Sequence, residues 1–234
     1  MGKVEDQKFM LHYTSLPRLI EILETGLLPL TNPIFWKDKN DAFSVAKSSS
    51  KAVGVICFSL MEDESNLFWE CYANEGIGVC IVFNQDEIRK IAKGKQFKYD
   101  KVTYLRFGKN GNLLSKNGNT YSLTNKRDLA FVKNDAYSNE NEYRLTLFTD
   151  KNPLLCGKVV DFLQLEKPVS NCIQEILLSP FLEENMRRDV KLLLDHYLEK
   201  MKLDIKVSPS KITSDVKWRN AVRKLKRSIK NNKE

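Results

Sequence analysis

From Glu140 to Phe148 the chain reads Glu-Asn-Glu-Tyr-Arg-Leu-Thr-Leu-Phe, with polar and apolar residues in alternation. A period of two is strand geometry, in which residues i, i+2 and i+4 point to one face. A strand here sends Tyr143, Leu145 and Leu147 toward a core, with Phe148 adding bulk, and lines Glu140, Glu142, Arg144 and Thr146 along the other face. The fold must then lay one side of this strand on an apolar layer and keep two carboxylates and a guanidinium on the other. An Arg–Glu pair on a solvated strand needs only one acid and contributes about 0–1 kcal/mol. A second acid two residues away points to a site, because like charges held together raise a carboxyl pKa or await a ligand.

The rest of the chain supplies partners for that strand. Residues 9–14 read as a short strand; Ser15 is placed to cap a helix with Pro17 in its first turn. Leu19, Ile20 and Leu23 recur at helical spacing, and Gly26 stands where a helix-terminating glycine belongs. His12, Tyr13 and Thr14 thus fall at a strand-to-helix junction. Residues 27–40, with two prolines and a polar run, read as a surface loop, and residues 42–50 as a helix. The near-continuous apolar runs at 53–59 and 78–83 read as buried strands. Between them, 66–74 reads as a short helix with Trp69 and Tyr72 on one face. Asn84 with Glu87 suggests a capping box for a helix to about Lys93. Strands are expected at 101–105, 158–165, 172–178 and 204–207, helices at 124–132 and 183–201, and a Gly/Asn/Lys-rich loop at 107–119. With neither a regular βαβ period nor an internal repeat, the expected class is α+β: a central mixed or antiparallel sheet flanked by helices.

Charge divides the chain in two. Of the net charge of +8, residues 216–234 carry +7, with eight Lys or Arg against one acid. The expected organisation is one α+β domain over 1–207 and a basic C-terminal helix or tail over 208–234. There Trp218, Val222, Leu225 and Ile229 form an apolar stripe, and the cations Lys217, Arg219, Arg223, Lys224 and Arg227 suit nucleic-acid phosphates. A helix packed on the domain with its cations in solvent is the competing account. No apolar run approaches the ~18 residues of a membrane span, and no apolar leader opens the sequence, so a cytoplasmic protein is expected. The five cysteines form no Cys-x-x-Cys pair, and Cys57, Cys80 and Cys172 sit in apolar surroundings as reduced thiols would. With two histidines, His12 and His196, no zinc ligand set is evident. The G-x-G-x-x-G and Walker patterns are absent, and no serine has a nucleophile-elbow context.

Taken in order, His12-Tyr-Thr-Ser15 with its following helix to Gly26, Cys57-Phe-Ser59, Trp69-x-x-Tyr72, the run 78–83 and Glu140-Asn-Glu-Tyr-Arg144 closely resemble a bacterial family long catalogued as a domain of unknown function. The resemblance spans roughly residues 9–180. It departs at Asn40-Asp41, where the family usually continues Pro-Phe-Glu and this chain has Ala42-Phe-Ser44. More distantly, a strand-borne His, a central aromatic and a late Glu resemble the His-Tyr-Glu arrangement of ADP-ribosyltransferases, and Glu140-Asn-Glu142 is similar to their Glu-x-Glu signature. That resemblance implies a fold of their type and NAD as the substrate; the residue inventory gives no metal. His12 would contact a ribose with Tyr13 and Thr14 nearby, and Tyr72 or Trp69 would stack on nicotinamide. Glu142 would hold a ribose hydroxyl and stabilise an oxocarbenium-like transition state, Glu140 would orient or deprotonate the acceptor, and Arg144 would balance charge or meet a phosphate. It implies transfer to a macromolecule, nucleic acid included, in a toxin or phage-defence setting. The alternative is a non-catalytic module binding nucleic acid or protein.

Overall fold

The two apolar runs lie side by side with the first strand of the chain. In the computed structural model, which describes residues 9–60, 63–73, 76–93, 97–109, 112–115, 117–123, 125–214 and 222, β1 (Phe9–Ser15) runs into α1 (Leu16–Thr25) and β2 (Leu27–Thr31). Then come α2 (Lys39–Lys47), β3 (Val53–Ser59), α3 (Asn66–Tyr72), β4 (Gly78–Asn84), α4 (Gln85–Lys93), β5 (Phe97–Lys101), β6 (Thr103–Phe107), β7 (Leu113–Leu114) and β8 (Val132–Asn134). The remaining described elements are β9 (Glu142–Phe148), β10 (Val159–Gln164), β11 (Ile173–Leu178), α5 (Glu184–Lys200), β12 (Lys206–Pro209) and α6 (Lys211–Ser214). The protein is α+β. Nine strands form a large mixed sheet, β10-β2-β3-β1-β4-β11-β12, with β9 on β3 and β5 on β9; a separate sheet orders β7-β6-β8. Most pairings are antiparallel; β11 with β12 and β6 with β8 are parallel.

β3 is the branch point. One edge pairs with β9 along its whole length, from Val53↔Phe148 to Ser59↔Glu142. The other edge is divided: β2 meets it only at Thr31↔Val55, and β1 only at Leu11↔Ser59. The sheet therefore forks along β3. Because α1 is ten residues long and ends at Gly26 in a left-handed conformation (φ 67°), β1 and β2 are both led back to the same edge of β3.

Pairing fixes which residues share a face. On one face Met10, Ile56, Phe58, Ile81, Phe83, Tyr143, Leu145 and Ile176 join the apolar sides of α1, α4 and α5 in the principal core. The opposite face carries two smaller apolar clusters. One, under α3, contains Leu11, Tyr13, Phe68, Trp69, Cys80 and Leu177. The other, under α2 and the 3-10 helix Lys126–Phe131, contains Val45, Val53, Val55, Ala130 and Phe131. Polar residues occupy the ground between them.

Several local expectations change. Residues 27–40 are not one loop: Leu27–Thr31 is a strand and Pro33–Phe35 a 3-10 turn. Pro29 is tolerated inside β2 because that strand pairs with β3 at a single position. The helix expected at 42–50 begins earlier, since the Asp38 carboxylate accepts from the amides of Asn40 and Asp41 and caps α2. The strand at 101–105 becomes β5 and β6, which bracket Val102. The helix expected at 124–132 is a 3-10 helix over Lys126–Phe131. Asn84 does cap α4, accepting from Asp86 and Glu87.

Among the described residues no helix is long and apolar enough to cross a membrane. Among the described glycines the tightest fit is at Gly78, where a Cβ would lie 2.0 Å from the carbonyl oxygen of Ala73. That contact seats the end of α3 on the start of β4. Gly78→Ala forces backbone apart at both elements and should lower stability by about 1–3 kcal/mol, read as a shift in the urea midpoint at unchanged slope.

Candidate functional site

β9 starts at Glu142, not Glu140. Glu140 ends the 3-10 helix Asp135–Glu140, and Asn141 between the two acids adopts a left-handed conformation (φ 43°). The expected four-residue polar face of one strand is therefore corrected to three residues, Glu142, Arg144 and Thr146. Asn141 permits this break because a short amide side chain tolerates positive φ, and its side chain donates to the Leu60 carbonyl (3.1 Å). The turn is pinned from β3, where the Ser59 hydroxyl donates to the Glu140 carbonyl (3.0 Å). Glu140 still reaches the same ground as Glu142, by a turn rather than by strand parity.

What gathers there is a buried cluster of five charges. Arg144 is fully buried and grips Glu142 with two donors, Nε to Oε1 at 2.7 Å and Nη2 to Oε2 at 3.0 Å. Its Nη2 also meets Asp41 Oδ2 at 2.6 Å, and its Nη1 donates to the Ala130 carbonyl at 2.9 Å. The guanidinium lies 5.5 Å from the centre of the Trp36 ring. Lys133 Nζ contacts Glu140 Oε2 at 2.6 Å, Glu142 Oε2 at 3.3 Å and Asp41 Oδ2 at 3.4 Å. The small sheet delivers this lysine: Lys133 lies opposite Tyr104 across β6 and β8, and the Tyr104 hydroxyl accepts from the Glu142 amide at 2.8 Å. α2 delivers Asp41. Asp41 Oδ1 is buried without a partner.

The environments drive the two glutamates apart. Burial alone would raise Glu142, but the Arg144 guanidinium, aided by Lys133 and the Cys57 thiol, outweighs it and holds the carboxyl at about 2. Burial raises Glu140, and contacts from Lys133 and the Tyr72 hydroxyl only partly offset it. Burial likewise raises Asp41 against the pull of Arg144. Lys133 stays protonated: burial works against its charge, but Glu142, Asp41 and Glu140 together prevail. The neutral Cys57 thiol is pushed well up by burial and by Glu142. Two carboxyls two residues apart thus differ in proton affinity, the pattern that separates an acid–base group from a fixed charge.

Glu140 stands at the solvent edge of the cluster, its side chain 12% exposed against 6% for Glu142. Its Oε1 accepts from the Tyr72 hydroxyl at 3.2 Å, and Tyr72 is 53% exposed. Tyr137, also exposed, has its ring centre 4.8 Å from Lys133 Nζ. Glu142, by contrast, spends both oxygens on Arg144 and Lys133. The structure therefore brings together Glu140, Glu142, Arg144 and Tyr72. His12 sits at the fork: its Nδ1 lies 3.0 Å from the Cys57 carbonyl, and its ring packs on Phe58 and Phe83. Burial lowers its pKa, so with Nδ1–H donating to the carbonyl, Nε2 is left as an acceptor. Cys57 joins His12 to the cluster, its carbonyl on one side and its thiol beside Glu142 on the other. Thr14 is half-buried in the same strand.

Tyr13 and Trp69 are placed elsewhere. Tyr13 is buried in the α3 cluster with its hydroxyl accepting from the Ser65 amide (3.1 Å). Trp69 is fully buried, stands edge-on to Tyr13 and donates its indole N–H to Glu64 (3.0 Å). Their rings are packing surfaces of the core; the ring of that helix that reaches solvent beside Glu140 is Tyr72. Lys217, Arg219, Arg223, Lys224 and Arg227 lie outside the described residues. Sequence reasoning missed Lys133, Asp41, Tyr104 and Tyr137. Asp41 alone left a signal, in the Asn40-Asp41 pair where the chain leaves the family pattern.

Residues 68–145, which include Tyr72, Lys133, Glu140, Glu142 and Arg144, match a family described as a protein of unknown function (DUF2971). No curated protein matches the sequence. The chain is similar in structure to DarT of Thermus sp. 2.9 in complex with NAD+, with TM-score 0.40 and 13% identity over 87% of this chain and 96% of that one. The same protein in complex with carba-NAD+ aligns with TM-score 0.41 and 14% identity over 88% of this chain and 96% of that one.

Two consequences are measurable. Arg144→Met leaves three buried carboxylates facing one lysine and should cost about 3–5 kcal/mol in urea unfolding, as removing one partner of a buried pair does. The acid limb follows from Glu142. Its folded pKa is depressed from 4.5 to about 2, so its contribution is present above pH 4.5 and is lost as pH falls toward 2. Glu142→Gln should remove that loss, flattening stability against pH between those values; an unchanged acid limb would contradict the assignment.

Proposed function

We propose that this protein cleaves NAD and transfers ADP-ribose to a macromolecular acceptor, with Glu140 as the carboxylate that meets the reacting groups. The observation that carries the reading is the split pair: Glu140 raised, at the edge of the cluster and hydrogen-bonded to an exposed tyrosine, with Glu142 two residues on, ionised at neutral pH and more enclosed. The motif resemblance supports the same chemistry.

The residues fit such a substrate. Tyr72 offers an exposed ring for nicotinamide beside a carboxylate, and the His12 Nε2 acceptor suits a ribose hydroxyl, with Thr14 in the same strand. In the reaction the bond between ribose C1′ and the nicotinamide nitrogen breaks, its electron pair goes to the ring nitrogen, and neutral nicotinamide leaves. Positive charge then develops on the ribose, which the cluster is built to favour: three carboxylates against two cations give it a net negative charge, and the enclosing core keeps that charge effective. The acceptor attacks C1′ and gives up its proton, and Glu140, with its raised proton affinity, is the group suited to receive it. Glu142 acts through Lys133 and Arg144 as a fixed charge rather than as a contact. Nucleic acid is the acceptor this reading favours, held by the cationic segment that includes Lys217, Arg219, Arg223, Lys224 and Arg227, and a role in toxicity or phage defence belongs to the same reading.

The test is nicotinamide release from NAD by purified protein, with and without nucleic acid. Glu140→Gln should lower turnover by about 10²–10⁴-fold while the unfolding midpoint stays near wild type. No NAD binding and no release under any condition would sink the proposal. Equal turnover in wild type and Glu140→Gln would move the role away from Glu140.

A further inference from the structure

The Glu140 backbone is pinned at its carbonyl by the Ser59 hydroxyl, but its side chain projects from an otherwise exposed turn. The 3-10 helix before it is exposed from Asp135 to Asn139, and the left-handed Asn141 follows. Its carboxylate has two named contacts, the Tyr72 hydroxyl on Oε1 and the Lys133 ammonium on Oε2. Tyr72 stands half in solvent at the end of α3. Lys133 is the fixed member: it is 7% exposed, lies on β8 and is covered by the Tyr137 ring. Arg144 binds Glu142 and Asp41, whereas the Lys133 ammonium reaches those two and Glu140 as well.

We propose that Lys133 is the positioning residue of the site, tying Glu140 at the opening to the buried Glu142–Arg144–Asp41 cluster and so fixing where that carboxylate is presented to a ligand. A lysine suits the place better than an arginine. Its ammonium is a compact charge with three N–H donors, and three carboxylates surround it at 2.6, 3.3 and 3.4 Å. A planar guanidinium would direct its donors in pairs within one plane. Remove the ammonium, and Glu140 and Glu142 face each other with nothing between them, so Glu140 takes up a proton more readily and is free to swing outward.

This inference deepens the reading above and depends on it only for the activity measurement. The experiment pairs a structural readout with a kinetic one. Carboxyl ¹³C NMR titration of Glu140 in Lys133→Met should show its midpoint moved up by at least about one pH unit, a tenfold change in proton affinity. In nicotinamide release, kcat should fall about 10–100-fold, the loss of a charged hydrogen bond, with its pH profile shifted in the same direction and KM for NAD changed less than threefold. In a Glu140→Gln background the same substitution should change kcat less than threefold, because the group it positions is already gone. Should Lys133→Met not fold, Lys133→Arg retains the charge without the three-way geometry and should still lower kcat about tenfold. An unmoved Glu140 titration, or an equal loss with and without Glu140, overturns the inference. A wild type that releases no nicotinamide while the Glu140 titration still follows Lys133 overturns the NAD reading and leaves the positioning role standing.

Discussion

The two-donor grip of Arg144 on Glu142 is the contact from which the polar half of this structure is built. A fully buried guanidinium is tolerable only when its donors are met, and here Glu142, Asp41 and the Ala130 carbonyl meet them. Each partner comes from a different part of the chain: β9, α2 and the end of the 3-10 helix before β8. The ion network thus holds α2 and the small sheet against the large one, in ground where the two apolar clusters on that face leave a gap. Such a network stabilises little by itself, since desolvation offsets most of the Coulomb attraction. Its role is specification: with the elements as they lie each buried charge meets a counter-charge, and moving one element away leaves another's charge buried alone.

That specification shapes the chemistry available. One glutamate is drawn into the network and locked as an anion; the other is left at its edge, where burial raises its proton affinity and an exposed tyrosine marks the way in. The fork in β3 serves the same end from the other side. Because β1 and β2 touch β3 only at Ser59 and Val55, the edge between them stays open for a side chain, and the His12 imidazole occupies it against the Cys57 carbonyl. Cys57 then carries the connection to Glu142 within one residue. Site and topology are one arrangement, since a fully zipped β1–β3 pair would give His12 no place at that edge.

Much of this was legible in the residues. The period-two run at Glu142–Phe148, the apolar runs of β3 and β4, the capped α4 and the Gly26 terminator of α1 follow from local rules, because each depends on side-chain pattern or on backbone conformations that few residues permit. That Glu140, Glu142 and Arg144 would gather in one place was also visible, as a spacing of charges. Trp69 and Tyr13 were not separable from Tyr72 by such means: aromatics three residues apart on a helix look alike until the sheet decides which ring it covers. Lys133 gave no signal at all, being one lysine among many in a basic chain.

The sequence by itself determined β3, β4, β9, the capped α4 and the end of α1, and set Glu142 and Arg144 on one side of β9, because alternation and capping are properties of neighbours along the chain. Only the tertiary structure decided that Glu140 stands outside the strand yet inside the cluster, that Asp41 and Lys133 complete it, and that Glu142 is the more enclosed of the two glutamates. Those outcomes depend on contacts between residues 7 to 103 positions apart, and on burial, which sets a carboxyl's proton affinity through everything around it rather than through its neighbours in sequence.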